Sequence, residues 1–437
     1  MMSFPRATAQ PFPAEQLALL DELVPYNPAD SLRAVTTLRA RGLSADDASA
    51  LLTQARLRTL GATKFGSAAT TMLFTEAGYE QATRAAVADH HAQRFVQANL
   101  TSVADLGCGL GADSLAFARA GLALTAVERD PATAALAAYN LSSYTTAQVL
   151  VGDVNDLGLD GLCTVAGERI AALWLDPARR EVNGGTTTSR IFDPEGFSPP
   201  FSLIEKLAAT GLPMGVKLGP GLPHEAVPVG AEAEWVSHGG SVVEVVLWFN
   251  ALARPGVARS ATVLGAGAIT RQVLGEIRSG QRSSASEEAV AVTGLGAYLI
   301  EPDGAVVRSH LVADFARQVG ATLIDEHIAY LTCDVPVTSP LSRTYRVLGT
   351  LPLHEKKLRR WVKDEGITAL TIKKRGVDLA PEKLRATLLA GVKKKKGAPV
   401  KEATLILTRL GVGSTSQRLA IWAEAVAEED APKEPGG

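Results

Sequence analysis

The residues best placed to do chemistry lie in one short stretch, Val103-Ala-Asp-Leu-Gly-Cys-Gly-Leu-Gly-Ala-Asp113. Glycines at 107, 109 and 111 allow the backbone to approach a ligand closely, and a helical pattern follows at once, so polar or anionic groups are favoured at its N-terminus. The expected ligand is nucleotide-like. Gly107, Gly109 and Ala112 satisfy G-x-G-x-x-[GA], and Glu128 follows Gly107 by 21 positions, a spacing that suits NAD with a ribose-binding acid. Asp105 argues otherwise. Two residues before the first glycine a dinucleotide site keeps an apolar residue, whereas a carboxylate there suits a ligand carrying a cationic amino group. A second reactive constellation is Leu173-Trp-Leu-Asp-Pro-Ala-Arg-Arg180, in which Asp176 can accept a proton or hydrogen bond and Arg179 and Arg180 can grip phosphate or form surface ion pairs. Cys108, Cys163 and Cys333 are scattered with no C-x-x-C and no histidine at ligand spacing, so no metal is expected.

These residues need a strand–loop–helix scaffold. Apolar runs at Ser102–Leu106, Leu122–Glu128, Gln148–Gly152, Ile170–Leu175 and Pro213–Lys217 alternate with helical segments near Asp113–Ala120, Pro131–Tyr139 and Pro200–Ala209. Such runs suit strands covered on both faces, so an open, mostly parallel α/β sheet is predicted, with ligands at the carboxyl ends of its strands. Glu232–Ser237 and Ser241–Phe249, joined by His238-Gly239-Gly240, predict a hairpin that adds an antiparallel edge. Residues 14–96 read as helices, the last running from Glu76 to Ala98, and Lys64–Arg84 is either a packing helix-turn-helix or a lid over the site. Lys217, ending the fifth strand, points toward the cleft edge, where a solvated lysine capping the strand is expected over a catalytic one. Ala261–Val292 has little periodicity, and Gly296–Val307 reads as strand, Pro-Asp-Gly turn, strand.

Asp105, Glu128 and Asp153 close three successive strands, and with the glycines the pattern resembles the class I S-adenosylmethionine-dependent methyltransferases over about 150 residues. The resemblance implies a Rossmann-like sheet with an antiparallel last strand and S-adenosyl-L-methionine as cofactor. It implies that Asp105 holds the methionine amino group, that the backbone of Gly107, Gly109 and Gly111 makes room for the methionine and sugar, that Asp113 is a further cofactor-binding residue, that Glu128 accepts from the ribose hydroxyls, and that Asp153 and Val154 meet the adenine. Asp176-Pro177 followed by Ala178 and Arg179 is nearer to the Asp-Pro-Pro-Arg form of RNA methyltransferases than to the Asp-Pro-Pro-aromatic form, so Asp176, Pro177 and Arg179 are the catalytic candidates. No cysteine follows in that loop, and methyl transfer is therefore expected to be direct and non-covalent.

The charge is unevenly spread. Of 44 Lys+Arg and 46 Asp+Glu, Arg346–Arg409 holds 17 and 6, or +11, so a net charge of −2 leaves −13 for the rest. A basic end on an acidic body suggests a polyanion. Ala369–Val377 followed by Thr404–Arg409 resembles the THUMP-like domain of certain bacterial methyltransferases, which implies RNA as substrate, tRNA or rRNA, with Lys373, Lys374, Arg375 and Lys393, Lys394, Lys395 and Lys396 as contacts. The expected organisation is a helical domain to residue 98, a methyltransferase domain over 99–255, a mixed connecting unit over 256–344, a basic α/β unit over 345–425, and a tail. No leader and no bilayer-length apolar run is seen, so a cytoplasmic protein without membrane contact is expected. The expected activity is RNA methylation. A small-molecule or protein methyltransferase, or an RNA-binding protein that retains the fold without turnover, are the alternatives.

Overall fold

The computed structural model describes residues 4–156, 158–179, 194–265, 273–279, 290–392, 399–413 and 416–426. The chain divides into two compact units, one of Met1–Gly239, Val243–Ala258 and Leu264–Val273, the other of Gly240–Val242, Arg259–Val263 and Leu274–Gly437.

The first unit opens with helices α1 (Ala14–Glu22), α2 (Ser31–Ala40), α3 (Ala45–Phe65), α4 (Glu76–Gln81) and α5 (Ala85–Gln97). Ser44 caps α3 by accepting from the Asp47 N–H, and Thr75 caps α4 through Gly78 N–H. The single helix expected over 76–98 is therefore two. Ala82 takes an extended backbone and ends α4, and the break brings Thr83 and Arg84 to the site. Arg58 is fully buried in α3, where its guanidinium donates to Asp21 at 2.7 Å and to the Met72 carbonyl at 2.8 Å.

Next come β1 (Ser102–Leu106), α6 (Ala112–Arg119), β2 (Ala123–Glu128), α7 (Pro131–Asn140), β3 (Ala147–Val151), β4 (Leu173–Leu175), the two-residue strands β5 (Ala178–Arg179) and β6 (Phe197–Ser198), α8 (Phe201–Ala208), β7 (Met214–Leu218), β8 (Glu232–His238) and β9 (Ser241–Phe249). Within this unit seven strands run in the order β8-β9-β7-β4-β1-β2-β3. β1 to β4 and β7 pair in parallel, and β9 is antiparallel to β7. This is the Rossmann-like sheet with an inserted antiparallel last strand. Gly239 and Gly240, both at positive φ, make the hairpin turn. The free edge of β3 is covered by the N-terminal segment, Ala7 N–H donating to Val149 O and Val151 N–H to Pro5 O.

Phe95, Phe117, Trp174 and Trp248, none more than 1% exposed, form an aromatic core between α5, α6 and the sheet. Phe95 meets Phe117 edge-on at 4.9 Å. Truncating such a ring costs about 3–5 kcal/mol, so this core fixes α5 against the strands.

Two strands without a sequence signal follow, β10 (Arg259–Leu264) and β11 (Val273–Arg278). The second unit then builds a seven-stranded sheet from β12 (Tyr298–Pro302), helices α9 (Gly304–Arg308) and α10 (Val312–Val319), β13 (Thr322–Asp325), β14 (Ile328–Cys333), β15 (Ser342–Pro352), α11 (Glu355–Asp364), β16 (Ala369–Lys374), α12 (Pro381–Leu389), β17 (Glu402–Leu410) and β18 (Gln417–Ala425), in the order β13-β14-β12-β15-β18-β17-β16. Pro302-Asp303-Gly304 is not a hairpin turn. Asp303 accepts from Ala305 N–H and caps α9, so 304–308 is helix. β12 pairs with β15 over five residues, which places strands from both sides of the 344/345 boundary in one sheet. Among the described residues no helix is long and apolar enough to cross a membrane.

Candidate active site

The carboxyl ends of the parallel strands open into a cavity of about 780 Å³. β1 delivers Asp105 and the glycine loop, β2 delivers Glu128, the end of β4 delivers Asp176 and Pro177, β7 delivers Lys217, and β9 delivers Glu244; all line the cavity. Gly107 and Gly109 adopt φ of +93° and +54°, and a Cβ on either would meet nothing within 4 Å, so both face open space that their backbone conformation reserves. Gly109 N–H donates to Glu128 Oε2 at 3.0 Å and Asp130 N–H to Glu128 Oε1 at 2.9 Å, which locks the loop to the end of β2. A carboxylate offers about four lone-pair positions, so each oxygen keeps one for a ligand.

Asp105 is 2% exposed and its Oδ2 accepts from Ser114 Oγ at 2.6 Å. Burial, with the fields of Asp113 and Asp176, raises its pKa to about 8 despite the Ser114 bond. A buried carboxyl in this state stores affinity for a cation. Among the described residues the wall carries Glu80, Asp105, Asp113, Glu128, Asp176 and Glu244 against Lys64, Arg84 and Lys217, six acids to three bases. A cationic ligand group is favoured beside these acids.

Beneath the cavity lies a charge network without a sequence signal. His91, fully buried in α5, faces Asp113 Oδ1 through Nδ1 at 2.8 Å and Glu244 Oε1 through Nε2 at 2.5 Å. Burial opposes its charge, yet Glu244 and Asp113 overcome it and raise its pKa to about 10. It is therefore an imidazolium that donates from both nitrogens. Asp113 is held below the usual carboxylate range by His91 despite its burial. Thr83 Oγ1 donates to Asp113 Oδ2 at 2.8 Å and accepts from Lys217 Nζ at 2.7 Å, and Lys217 also reaches Asp176 Oδ2 at 2.5 Å. Lys217 thus does not point to solvent: its side chain is 13% exposed, and Asp176, Asp113 and Glu244 raise its pKa despite the burial. Asp176, whose side chain is 38% exposed at the cavity, has its pKa raised by desolvation, the lysine opposing.

The Lys64–Arg84 segment does border the site. Lys64, Gly78, Glu80, Gln81, Ala82, Thr83 and Arg84 line it, and Lys64 Nζ donates to the carbonyls of Tyr79 at 2.6 Å and Glu80 at 2.9 Å, fastening the last turn of α4.

Asp105, Gly107, Gly109, Asp113, Glu128, Asp176 and Pro177 are thus brought to one wall. Gly111, Asp153 and Val154 are not on it. Gly111 turns the chain into α6 at φ +80°, and Asp153 Oδ1 instead accepts from the backbone and side chain of Asn155 at 2.8 and 2.7 Å. The side chain of Arg179, all of Arg180, and Lys393 to Lys396 lie outside the described residues. In the second unit Lys373 pairs with Glu301 and its Nζ lies 5.5 Å from the centre of the Tyr345 ring. Arg375 donates to the Ala329 carbonyl at 2.5 Å and covers the Tyr330 ring. Lys374 between them is exposed.

Sheet order, glycine loop and strand-end acids together define a class I methyltransferase. Over 350 residues the chain is 31% identical to an uncharacterised S-adenosylmethionine-dependent methyltransferase of Mycobacterium tuberculosis, found in strains CDC 1551 and H37Rv, the alignment covering 79% of this chain and 86% of that one. This chain belongs to the S-adenosylmethionine-dependent methyltransferases. Residues 342–425 match the THUMP domain-like family, and residues 17–60 match a domain of unknown function. The fold is shared with a crystal structure of a protein assigned as a methyltransferase from Porphyromonas gingivalis W83, at a TM-score of 0.73 and 18% identity, covering 94% of this chain and 98% of that one.

Proposed function

We propose that this enzyme methylates structured RNA, tRNA or rRNA, by direct transfer. The observation that carries the cofactor site is Asp105: a buried carboxyl of raised pKa beside glycines whose missing side chains leave open space, in a wall where acids outnumber bases. These residues fit S-adenosyl-L-methionine, which supplies an electrophilic methyl group on a sulfonium. Asp105 pairs with the amino group and gives up its proton in doing so. Gly107 and Gly109 make room for the methionine and sugar, and Glu128 accepts from the ribose hydroxyls. Asp153 caps the turn beyond β3 through Oδ1. Asp176 and Pro177 border the acceptor end of the cavity. Cys108 also lines it, but burial and the nearby Asp105 and Glu128 raise its thiol pKa well above the ordinary value, which supports a mechanism without a cysteine nucleophile.

RNA is supported by the THUMP domain-like match and by the +11 charge of Arg346–Arg409. Calorimetry is expected to show heat with S-adenosylhomocysteine and none with NAD; heat with NAD alone overturns the cofactor reading. Total RNA incubated with methyl-labelled cofactor is expected to gain label. Label entering only proteins or a small-molecule extract overturns the RNA reading.

A further inference from the structure

We propose that the atom methylated at this site is a hydroxyl oxygen, on RNA the ribose 2′-hydroxyl, with Asp176 as the base that takes its proton and Lys217 as the cation that holds the oxygen as negative charge develops. The proposal rests on the RNA methyltransferase reading above and names its acceptor.

Three adjacent strands build the arrangement. β4 and β7 pair Leu175 with Val216, so the next residues, Asp176 and Lys217, emerge side by side, and β9 pairs Val245 with Leu218, which places Glu244 on the same rim. An ammonium has three donors. Lys217 spends one on Asp176 and one on Thr83, and its third has no partner among the described residues. Asp176 meets the lysine through Oδ2 and keeps Oδ1 without a partner among the described residues. Both groups line the cavity with one hydrogen-bonding position left over.

The chemistry discriminates between acceptors. A base nitrogen attacks with a lone pair it already has and becomes more positive as it bonds to carbon, so a fixed ammonium within hydrogen-bond reach opposes it. A hydroxyl is a weak nucleophile until it sheds its proton, and it then needs a cation. The raised proton affinity of Asp176 suits the base, and the persistent charge of Lys217 suits the stabiliser. Nucleobases are also commonly held by stacking on aromatic rings. The one aromatic among the described lining residues is Phe197, only 5% exposed. The step balances: the acceptor O–H proton passes to Asp176 Oδ1, an oxygen lone pair forms the O–CH₃ bond, and the C–S pair of the methyl sulfonium donor stays on sulfur as a neutral thioether.

The test is alkaline hydrolysis of RNA labelled by the full-length enzyme, because a methylated 2′-oxygen blocks cleavage at its own phosphodiester. Label recovered in alkali-resistant dinucleotides is the expected result. Label recovered in mononucleotides, on the base, overturns the oxygen acceptor while sparing the RNA reading; absence of label from every RNA overturns both. Lys217→Met is expected to slow transfer by about 100-fold or more, with S-adenosylhomocysteine affinity by calorimetry within about threefold of wild type. Lys217→Arg should recover part of the rate. A Lys217→Met enzyme that folds, binds S-adenosylhomocysteine and transfers at the wild-type rate overturns the role of the lysine.

Discussion

At the scale of single residues, the proposed pairing of Asp105 with the cofactor's amino group predicts that ligand binding is coupled to protons. Its pKa in the free protein is raised to about 8, and a cationic amino group beside it lowers that value, so binding below pH 8 releases a proton and affinity rises with pH until the carboxyl is already ionised. Calorimetry with S-adenosylhomocysteine at pH 6.5, in buffers of different ionisation enthalpy, is expected to report close to one proton released, and Asp105→Asn none. The same substitution leaves the Ser114 hydroxyl an acceptor but removes the charge. It is expected to weaken binding at least about 30-fold, about 2 kcal/mol for a buried charge pair. Unchanged affinity in the variant would remove the assignment of Asp105.

At the scale of elements, His91 ties α5 to α6 through Asp113 and to β9 through Glu244. Its pKa is raised from 6.5 to about 10, so its contribution is fully present below pH 6.5 and is lost as pH climbs toward 10. His91→Phe removes the cation between Glu244 and Asp113, leaving Asp113 only its Thr83 bond, and is expected to cost about 3 kcal/mol or more at pH 6. Thermal unfolding followed from pH 6 to 10 should show wild-type stability falling across that window, with the His91→Phe difference shrinking. A constant difference would mean the histidine acts by packing on Trp174, whose ring lies 4.5 Å away, and not by charge. The break between α4 and α5 belongs to this scale too. Periodicity across Glu76–Ala98 is continuous, and the interruption at Ala82–Arg84 exists because Thr83 is needed beneath Lys217 and because Lys64 pins the carbonyls at the end of α4. No local signal encodes partners 15 to 134 residues distant.

At the scale of the whole molecule, the described cavity lining is mostly acidic and the C-terminal segment Arg346–Arg409 is basic, and the proposed function assigns RNA binding to the latter. Helix α11 carries exposed Lys356, Lys357, Arg359 and Lys363, while Leu358, Trp361 and Val362 turn inward. Replacing those four bases with alanine is expected to weaken RNA binding about equally across sequences and to flatten the salt dependence, by about 0.7 to 0.9 in the log–log slope for each phosphate that is no longer neutralised. Fluorescence anisotropy from 50 to 200 mM salt measures both, and an unchanged slope would place the RNA-binding surface elsewhere. Truncation at residue 344 is a poor substitute for these variants. It removes β15, on which β12 depends for five paired residues, and so breaks a sheet instead of removing a module.

What could be read from the sequence was whatever is local in the chain. The apolar runs that become β1 to β4, the glycines, Asp105 and Glu128 fall within 75 residues and follow the period and turn chemistry of a strand–loop–helix unit, so composition and spacing pointed to the sheet, the loop and a nucleotide-like ligand, and the resemblance to class I methyltransferases supplied the cofactor. Only the tertiary structure brought together the groups to which the acceptor end is assigned in the proposal above. His91 meets Glu244 across 153 positions and Lys217 meets Thr83 across 134, and only the pairing of β4 with β7 and of β7 with β9 sets Asp176, Lys217 and Glu244 side by side. A lysine at a strand end reads as solvated because water is the default partner of a charge. It becomes a buried cation facing the cavity only when neighbouring strands bring carboxylates to it, and that proximity is a property of the folded sheet.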